Sequence, residues 1–309
     1  MELEKALQGL IFSKIAEGKS PHTIQVYKYG ITKLIKFLDN PEIQEISQKD
    51  IQTFFVNLRQ ESQLSENSLI NVWRAIRVLF SWSEKELETI RPDKGMSYPK
   101  APIKLVIPFI DNDIRRLISA CNFTKDSHSN KKNSFRMKRL TADRDKAIIL
   151  TLLDTGVRVS ELARLTINDL NLETGEIQIR PLGSGVKSKP RTVFIGKLSR
   201  STLWRYLAGK NKESDDFIFS TLNGHPLNRT SIRQLLRRIG DKAEINNVYP
   251  HRFRHTFAIQ YLRNGGDIFT LQRILGHSSL EMVKRYLTIA KADCETAHRK
   301  ASPVDNWKL

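Results

Sequence analysis

The sequence has few of the features that mark secreted or membrane proteins. Only two cysteines, Cys121 and Cys294, occur among 309 residues, too few for a disulfide framework or a thiolate zinc site. No apolar run approaches the length needed to span a bilayer. The first residues lack the basic and then apolar pattern of a signal peptide. We therefore expect a cytoplasmic protein with reduced thiols and no membrane partner.

Acidic residues are also scarce, and the shortage is confined to one part of the chain. There are 51 Lys and Arg against 33 Asp and Glu, a formal net charge of +18. Residues 1–90 hold 11 basic and 12 acidic side chains, so the excess lies in the remainder, with 40 against 21. A dense polyanion as partner explains this balance, because each neutralised phosphate releases counterions. A basic surface that serves solubility alone is the alternative.

The length of the chain predicts two domains joined by a linker. Residues 1–90 show helical periodicity and form the first predicted domain. Residues 91–108 contain four prolines and a glycine, which break that periodicity and predict the linker. The second domain is predicted over residues 109–290, followed by a C-terminal tail over residues 291–309.

Three serines predict helix starts in the first domain. Ser20, Ser47 and Ser65 each precede a run with helical spacing, and Pro21 follows the first of them. The helix after Ser65 also has a polar side. Amide and guanidinium groups on one helix suit a DNA groove, but a solvated surface explains them equally well. The residues concerned are Asn67, Asn71 and Arg74.

The second domain is predicted to be mainly helical with one small hairpin. Asp111 is expected to cap a short helix, and further helices are expected over residues 142–154 and 159–165. The β-branched runs GEIQIR and RTVFI flank a turn rich in Gly, Ser and Lys, which predicts a β-hairpin. After Ser199 the pattern is helical again. Residues 122–140 are polar and basic and predict a loop, either a solvated excursion or a contact to phosphates.

Four separated segments of the second domain carry side chains suited to phosphate chemistry. They are TGVRVSELARL, GVKSKPR, YPHRFRHTFA and LGHSSLEMVKRY. Together they resemble the catalytic domain of tyrosine recombinases, the family of phage integrases and Xer proteins. The resemblance covers most of residues 109–290, and the N-terminal helices resemble the core-binding domain of that family. No single segment is specific for this family, but the four segments in this order and with these spacings are.

The resemblance assigns roles residue by residue. Matched to the family order, the catalytic set is Arg158, Lys187, His251, Arg254, His277 and the nucleophile Tyr286. His277 precedes Tyr286 by nine positions, as the family pattern requires. The acidic position of the family falls on Glu161, which we expect to orient a neighbouring side chain by hydrogen bonding.

These residue types fit a DNA strand-transfer reaction. A phosphodiester under attack gains charge on its non-bridging oxygens, which the guanidiniums of Arg158 and Arg254 can bind. A phenol has an ordinary pKa of about 10 and becomes a nucleophile where cations favour its ionised form. The resemblance implies a 3′-phosphotyrosyl link to Tyr286 and a free 5′-hydroxyl. Resealing then needs no ATP, metal or other cofactor.

The general acid is one of two lysines. In the resembled family the lysine commonly precedes a basic residue by four or five positions, and Lys187 precedes Arg191 by four. Lys187 should therefore protonate the departing 5′-oxygen. Lys189, two positions before Arg191, is the alternative. Otherwise Lys189 and Arg191 are expected to contact DNA.

The resemblance also implies partners, namely double-stranded DNA with specific sites and three further copies of the chain. A homotetramer would exchange strands through a Holliday junction, with or without accessory proteins. The tail over residues 291–309 is expected to dock on a neighbouring subunit, the alternative being a helix packed on its own domain. Three other functions stay open: a hydrolase with zinc on His251, His255 and His277, a non-catalytic DNA-binding protein, and a type IB topoisomerase.

Overall fold

The structure is a computed structural model that divides into two compact units, Met1–Leu105 and Val106–Leu309. It describes the whole chain except residues 62–63, 98, 100–105, 124–126, 129–133, 136–138, 182–189, 211–212, 277–279, 281–297, 299–301, 303, 305–306 and 308–309. Each unit has a hydrophobic core of its own. The division falls inside residues 91–108, the segment predicted as a linker.

The first unit is built from four helices, α1 Leu3–Ala16, α2 Pro21–Leu38, α3 Gln48–Glu61 and α4 Glu66–Glu86. The predicted starts of three of them are confirmed. The hydroxyls of Ser20 and Ser65 accept hydrogen bonds from the backbone N–H groups of Thr23 and Ser68, each at 3.3 Å. The backbone N–H of Ser47 donates to Asp50 Oδ2 at 2.8 Å. Polar side chains therefore satisfy backbone groups that have no partner within the helix.

Helices α2 and α4 pack closely in the centre of this unit. A Cβ added at Gly30 of α2 would lie 2.7 Å from the Cβ of Ala75 in α4, closer than packed side chains allow. Around this contact the buried side chains of Trp73 and Phe80 fill the core. The opposite side of α4 stays in solvent, where Asn67, Asn71 and Arg74 are exposed. Helices α2 and α4 therefore lie close together, and the polar side of α4 is exposed to solvent.

The second unit is mainly helical with a small sheet, which confirms the predicted fold class. Its helices are α5 Asp111–Ala120, α6 Ala142–Thr155, α7 Val159–Leu162, α8 Lys197–Leu207, α9 Arg229–Lys242, α10 Pro250–Arg263 and α11 Ile268–Leu275. Its strands are β1 Ser127–His128, β2 Ser134–Phe135, β3 Glu176–Ile179 and β4 Arg191–Phe194. Strands β3 and β4 pair antiparallel with Ile177 opposite Val193, so the predicted hairpin is confirmed.

Three predicted boundaries need correction. The residues predicted as a loop over 122–140 contain the antiparallel pair of β1 and β2. Asp111 is the first residue of α5 and not its cap. The cap is Ile110, whose N–H donates to Asp113 Oδ2 at 3.3 Å, because a carboxylate in the first turn can reach back. Helix α7 ends at Leu162, since the carbonyl of Leu165 instead accepts from Ile218 N–H at 2.8 Å.

The core of the second unit is organised around α6. Its buried residues Ile148, Ile149 and Leu152 belong to one hydrophobic cluster with Ile177 and Val193 of the hairpin. Helix α6 packs against α8 and α10, and α10 also packs against α11. In the part of the chain that the structure describes, no helix has the length and hydrophobicity needed to cross a membrane. The core brings the ends of α6, α10 and α11 together, which is where the predicted site lies.

Candidate active site

Half of the predicted catalytic set lies in the described part of the second unit. Arg158 is the N-cap residue of α7, directly after α6. His251 and Arg254 are the second and fifth residues of α10, which begins at Pro250. The remaining three members and the alternative acid lie outside the described residues; they are Lys187, His277, Tyr286 and Lys189.

Arg254 is buried between two helix ends. Its Nη1 donates to the carbonyl of Gly156 and its Nη2 to the carbonyl of Leu275, both at 2.7 Å. Helix α6 is closed by Gly156 and α11 by Gly276, and both glycines have left-handed backbone conformations. Carbonyl groups at a helix C-terminus carry partial negative charge and favour a cation. These two helix ends therefore hold a guanidinium that is 3% exposed.

Three arginines donate to three consecutive carbonyl groups at the end of α11. Arg191 Nε binds the carbonyl of Ile274 at 2.6 Å, and Arg254 Nη2 binds that of Leu275 at 2.7 Å. Arg158 Nη2 binds the carbonyl of Gly276 at 3.3 Å. Because α7, β4 and α10 each contribute one arginine, these bonds fix the end of α11 relative to all three. The next residue in the sequence is the predicted catalytic His277.

Glu161 links two of these arginines from a buried position. Its carboxylate accepts from Arg158 Nη1 at 3.0 Å and from the Arg158 backbone N–H at 2.8 Å. It also accepts from Arg191 Nη1 at 3.1 Å and Nη2 at 2.8 Å. Burial raises the pKa of the Glu161 carboxyl, but Arg191 and then Arg158 hold that pKa below its ordinary value. Glu161 contacts Arg158 as an orienting residue would.

Arg191 was expected to contact DNA, and the structure corrects this expectation. Its side chain is only 8% exposed, and its donors are directed at Glu161 and Ile274. Sequence reasoning missed its structural role. Two features could have indicated this role. A buried carboxylate such as Glu161 needs more than one hydrogen-bond donor, and Arg191 is the first residue of a strand next to the site.

His251 lies at the surface beside the arginines. Partial burial lowers the pKa of its imidazole, as do the neighbouring charges of Arg254 and Arg158. Burial lowers the pKa of His255 to about 4, and the two imidazole rings lie 6.2 Å apart. The His255 ring is therefore neutral at pH 7. The alternative zinc site also requires His277, which lies outside the described residues.

Family comparisons match both units. The model of the phage integrase family matches residues 112–293, and that of the phage integrase N-terminal SAM-like domain matches residues 7–89. Tyrosine recombinase XerA of Thermococcus kodakarensis is 29% identical over 94% of this chain and 92% of its own length. Tyrosine recombinase XerC of Staphylococcus epidermidis is 26% identical over 95% of each chain.

Solved structures are similar over nearly the full chain. A crystal structure of XerA recombinase matches with a TM-score of 0.51 at 27% identity, covering 96% of this chain and 98% of that one. A lambda integrase dimer bound to a COC′ core site matches with a TM-score of 0.71, covering 91% of this chain and 97% of that one. The identity there is 17%, so this second similarity concerns the fold alone.

Replacing Glu161 with glutamine should destabilise the second unit by about 3 kcal/mol, because the buried Arg191 guanidinium then lacks its counter-charge. In a unit of this size each kcal/mol lowers the Tm by about 2–4 °C. Thermal unfolding followed by circular dichroism at pH 7 measures the shift. Glu173→Gln removes an exposed carboxylate of the same unit and should leave the Tm nearly unchanged. A wild-type Tm for Glu161→Gln would contradict the stabilising role.

The same variant tests the pH dependence of this interaction. The folded protein lowers the pKa of Glu161 below 4.5, so its ion pairs contribute fully above that pH. The contribution is lost as the pH falls through the lowered pKa. The Tm difference between wild type and Glu161→Gln should therefore be constant near neutrality and shrink below pH 4.5.

Proposed function

Because this chain belongs to the phage integrase family of tyrosine recombinases, we propose that it cuts and rejoins double-stranded DNA at specific sites through a 3′-phosphotyrosyl link to Tyr286. Its enzyme class is tyrosine-type site-specific recombinase. One observation supports the chemistry above all. Arg158 lies 93 positions before His251 and 96 before Arg254, yet all three converge where α6, α7, α10 and α11 meet.

The two arginines bind the phosphate under attack. The Arg158 side chain is 32% exposed, so a phosphate oxygen can reach its guanidinium from solvent. Arg254 adds a second positive charge from the buried side. Both are held in place before DNA arrives, which strengthens their effect on charge that develops in the transition state. Glu161 orients the Arg158 guanidinium and binds no phosphate itself.

The bond changes follow from this arrangement. The Tyr286 phenolate attacks phosphorus, and the bond from Oη to phosphorus forms while the bond from phosphorus to the 5′-oxygen breaks. Lys187 donates the proton that turns the leaving oxygen into a 5′-hydroxyl. Attack by a 5′-hydroxyl on the phosphotyrosyl bond reverses these steps and reseals the strand. The roles of Lys187, His277 and Tyr286 rest on the residue order of the family.

Strand exchange requires two DNA duplexes, and we propose a homotetramer that passes through a Holliday junction. The lambda integrase dimer bound to a COC′ core site and XerH bound to palindromic difH in a post-cleavage complex support a DNA-bound assembly. The basic excess beyond residue 90 supplies charge for the duplexes. In the first unit, the exposed side of α4 supplies further contacts. We propose that the protein acts on DNA in the cytoplasm.

The C-terminal tail is proposed to join the subunits. A cavity of about 1850 Å³ lies in the second unit next to α10 and α11. Its lining includes the apolar side chains of Phe109, Leu153, Phe257 and Ile274. Such a cavity suits a partner segment that brings apolar side chains. We propose that the tail over residues 291–309 of a neighbouring subunit occupies it.

Replacing Tyr286 with phenylalanine should abolish covalent protein–DNA adducts, because it removes only the attacking hydroxyl. Folding and DNA affinity should barely change, since the ring remains. Denaturing gel electrophoresis of protein incubated with labelled site DNA measures the adduct. Tyr249→Phe, at the cap of α10 near His251, is the control and should form adducts normally. Adducts at the wild-type level with Tyr286→Phe would assign the nucleophile to another tyrosine.

The general acid can be identified with a sulfur substitution in the DNA. A thiol has a pKa of about 8.5, so a 5′-thiolate departs without protonation, whereas an alkoxide does not. Lys187→Ala should therefore cleave ordinary DNA slowly and sulfur-bridged DNA nearly as fast as wild type. Single-turnover cleavage rates on both substrates provide the measurement.

Matched variants separate this role from charge stabilisation. Arg158→Ala should be slow on both substrates, because Arg158 acts on the non-bridging oxygens. Lys189→Ala should behave as wild type on both. If sulfur restores the cleavage rate of Lys189→Ala instead, Lys189 is the general acid. If it restores the rate of neither variant, His251 is the next candidate for the general acid.

Deleting residues 291–309 should leave cleavage of a single site measurable and reduce pairing of two sites, because it removes the proposed contact between subunits. Gel-shift assays with one-site and two-site DNA distinguish the two effects. A deletion variant that recombines normally would show that the tail packs on its own domain. Relaxation of plasmids without paired sites would instead favour a type IB topoisomerase.

A further inference from the structure

A basic groove lies between α2 and α4 in the first unit, to which none of the predicted catalytic residues belongs. Its volume is about 520 Å³. Arg74, Arg77 and Arg91 line it together with neutral polar groups such as Asn71 and Ser81. Among the described residues, no carboxylate belongs to this lining. The described groove lining therefore presents three guanidiniums and no carboxylate.

The carboxylate of Asp93 lies behind two of these arginines. It accepts from Arg77 Nε at 3.3 Å and from Arg91 Nε at 3.1 Å and Nη2 at 2.6 Å. The Asp93 side chain is fully buried, whereas that of Arg77 is 48% exposed and that of Arg91 is 17% exposed. Glu84 approaches Arg91 Nη1 at 3.7 Å from outside the groove lining. Asp93 thus contacts the arginines without itself facing solvent.

Two physical effects follow from this arrangement. Arginine side chains have many rotamers, and ordering them on binding costs free energy unless the protein has already fixed them. Asp93 fixes two of them through directed hydrogen bonds. An acidic residue near a DNA surface ordinarily weakens binding, because it repels phosphates. At Asp93 the first effect opposes the second, and burial keeps the carboxylate out of direct contact with a ligand in the groove.

We infer that Asp93 is a positioning residue that holds Arg77 and Arg91 in the α2–α4 groove, so that both bind the sugar-phosphate backbone of one DNA strand. This inference rests on the proposed function, because it requires DNA as the ligand. It also means that the Asp93 carboxylate strengthens DNA binding, although its negative charge repels phosphates.

The test uses the full-length protein and a fluorescein-labelled duplex of random sequence, with binding followed by fluorescence anisotropy. Asp93→Asn makes the protein more positive, so net charge alone predicts tighter binding. Positioning predicts the opposite, a Kd about tenfold higher at moderate salt, and a salt slope smaller by up to about 2, because each phosphate contact contributes about 0.9. Asp39→Asn is the matched control, since it removes an exposed carboxylate of the same unit. It should bind as tightly as wild type or slightly more tightly.

A second background separates positioning from misfolding. In a protein carrying Arg77→Gln and Arg91→Gln, the further change Asp93→Asn should leave the Kd nearly unaltered, because no arginine remains to be held. Binding by Asp93→Asn as tight as that of wild type would overturn the inference. An equal loss in both backgrounds would also overturn it, because Asp93 would then act through folding, which thermal unfolding would show. Covalent adducts of wild type report separately on the proposed function, so either idea can fail alone.

Discussion

The buried guanidinium of Arg254 is the interaction on which the second unit depends. A charge removed from water is costly unless hydrogen bonds and opposite charge compensate it. Here the carbonyl groups at the C-terminal ends of α6 and α11 supply that compensation. Their geometry requires both helices to end at this point, and Gly156 and Gly276 make those ends with left-handed conformations. A cation at the centre thus determines where two helices stop.

Several arginines close together repel one another, and a single carboxylate makes the cluster stable. Glu161 binds Arg158 and Arg191 at once, and Arg191 in turn holds the end of α11. The cluster is therefore a network in which each charge has a partner before any substrate is present. In the function that we propose, a phosphate completes the set of negative charges around Arg158. This explains how a site can be strongly cationic and still be rigid.

The first unit uses the same principle with a different purpose. The buried Asp93 carboxylate contacts Arg77 and Arg91 as Glu161 contacts Arg158 and Arg191, and Arg77 and Arg158 keep access to solvent. In both units the carboxylate improves the placement of positive charge while reducing its amount.

Features that depend on neighbours along the chain could be predicted from the sequence. Capping by Ser20, Ser47 and Ser65 and the pairing of β3 with β4 follow from local spacing, and the order of four motifs indicated the family. Which charges meet could be seen only once the distant segments were packed together. Arg191 reaches Glu161 across 30 positions and Ile274 across 83, and Arg158 reaches Gly276 across 118. The sequence around a basic residue beside a strand does not show whether its side chain faces DNA or a buried carboxylate. Packing between distant segments determines which of the two it contacts.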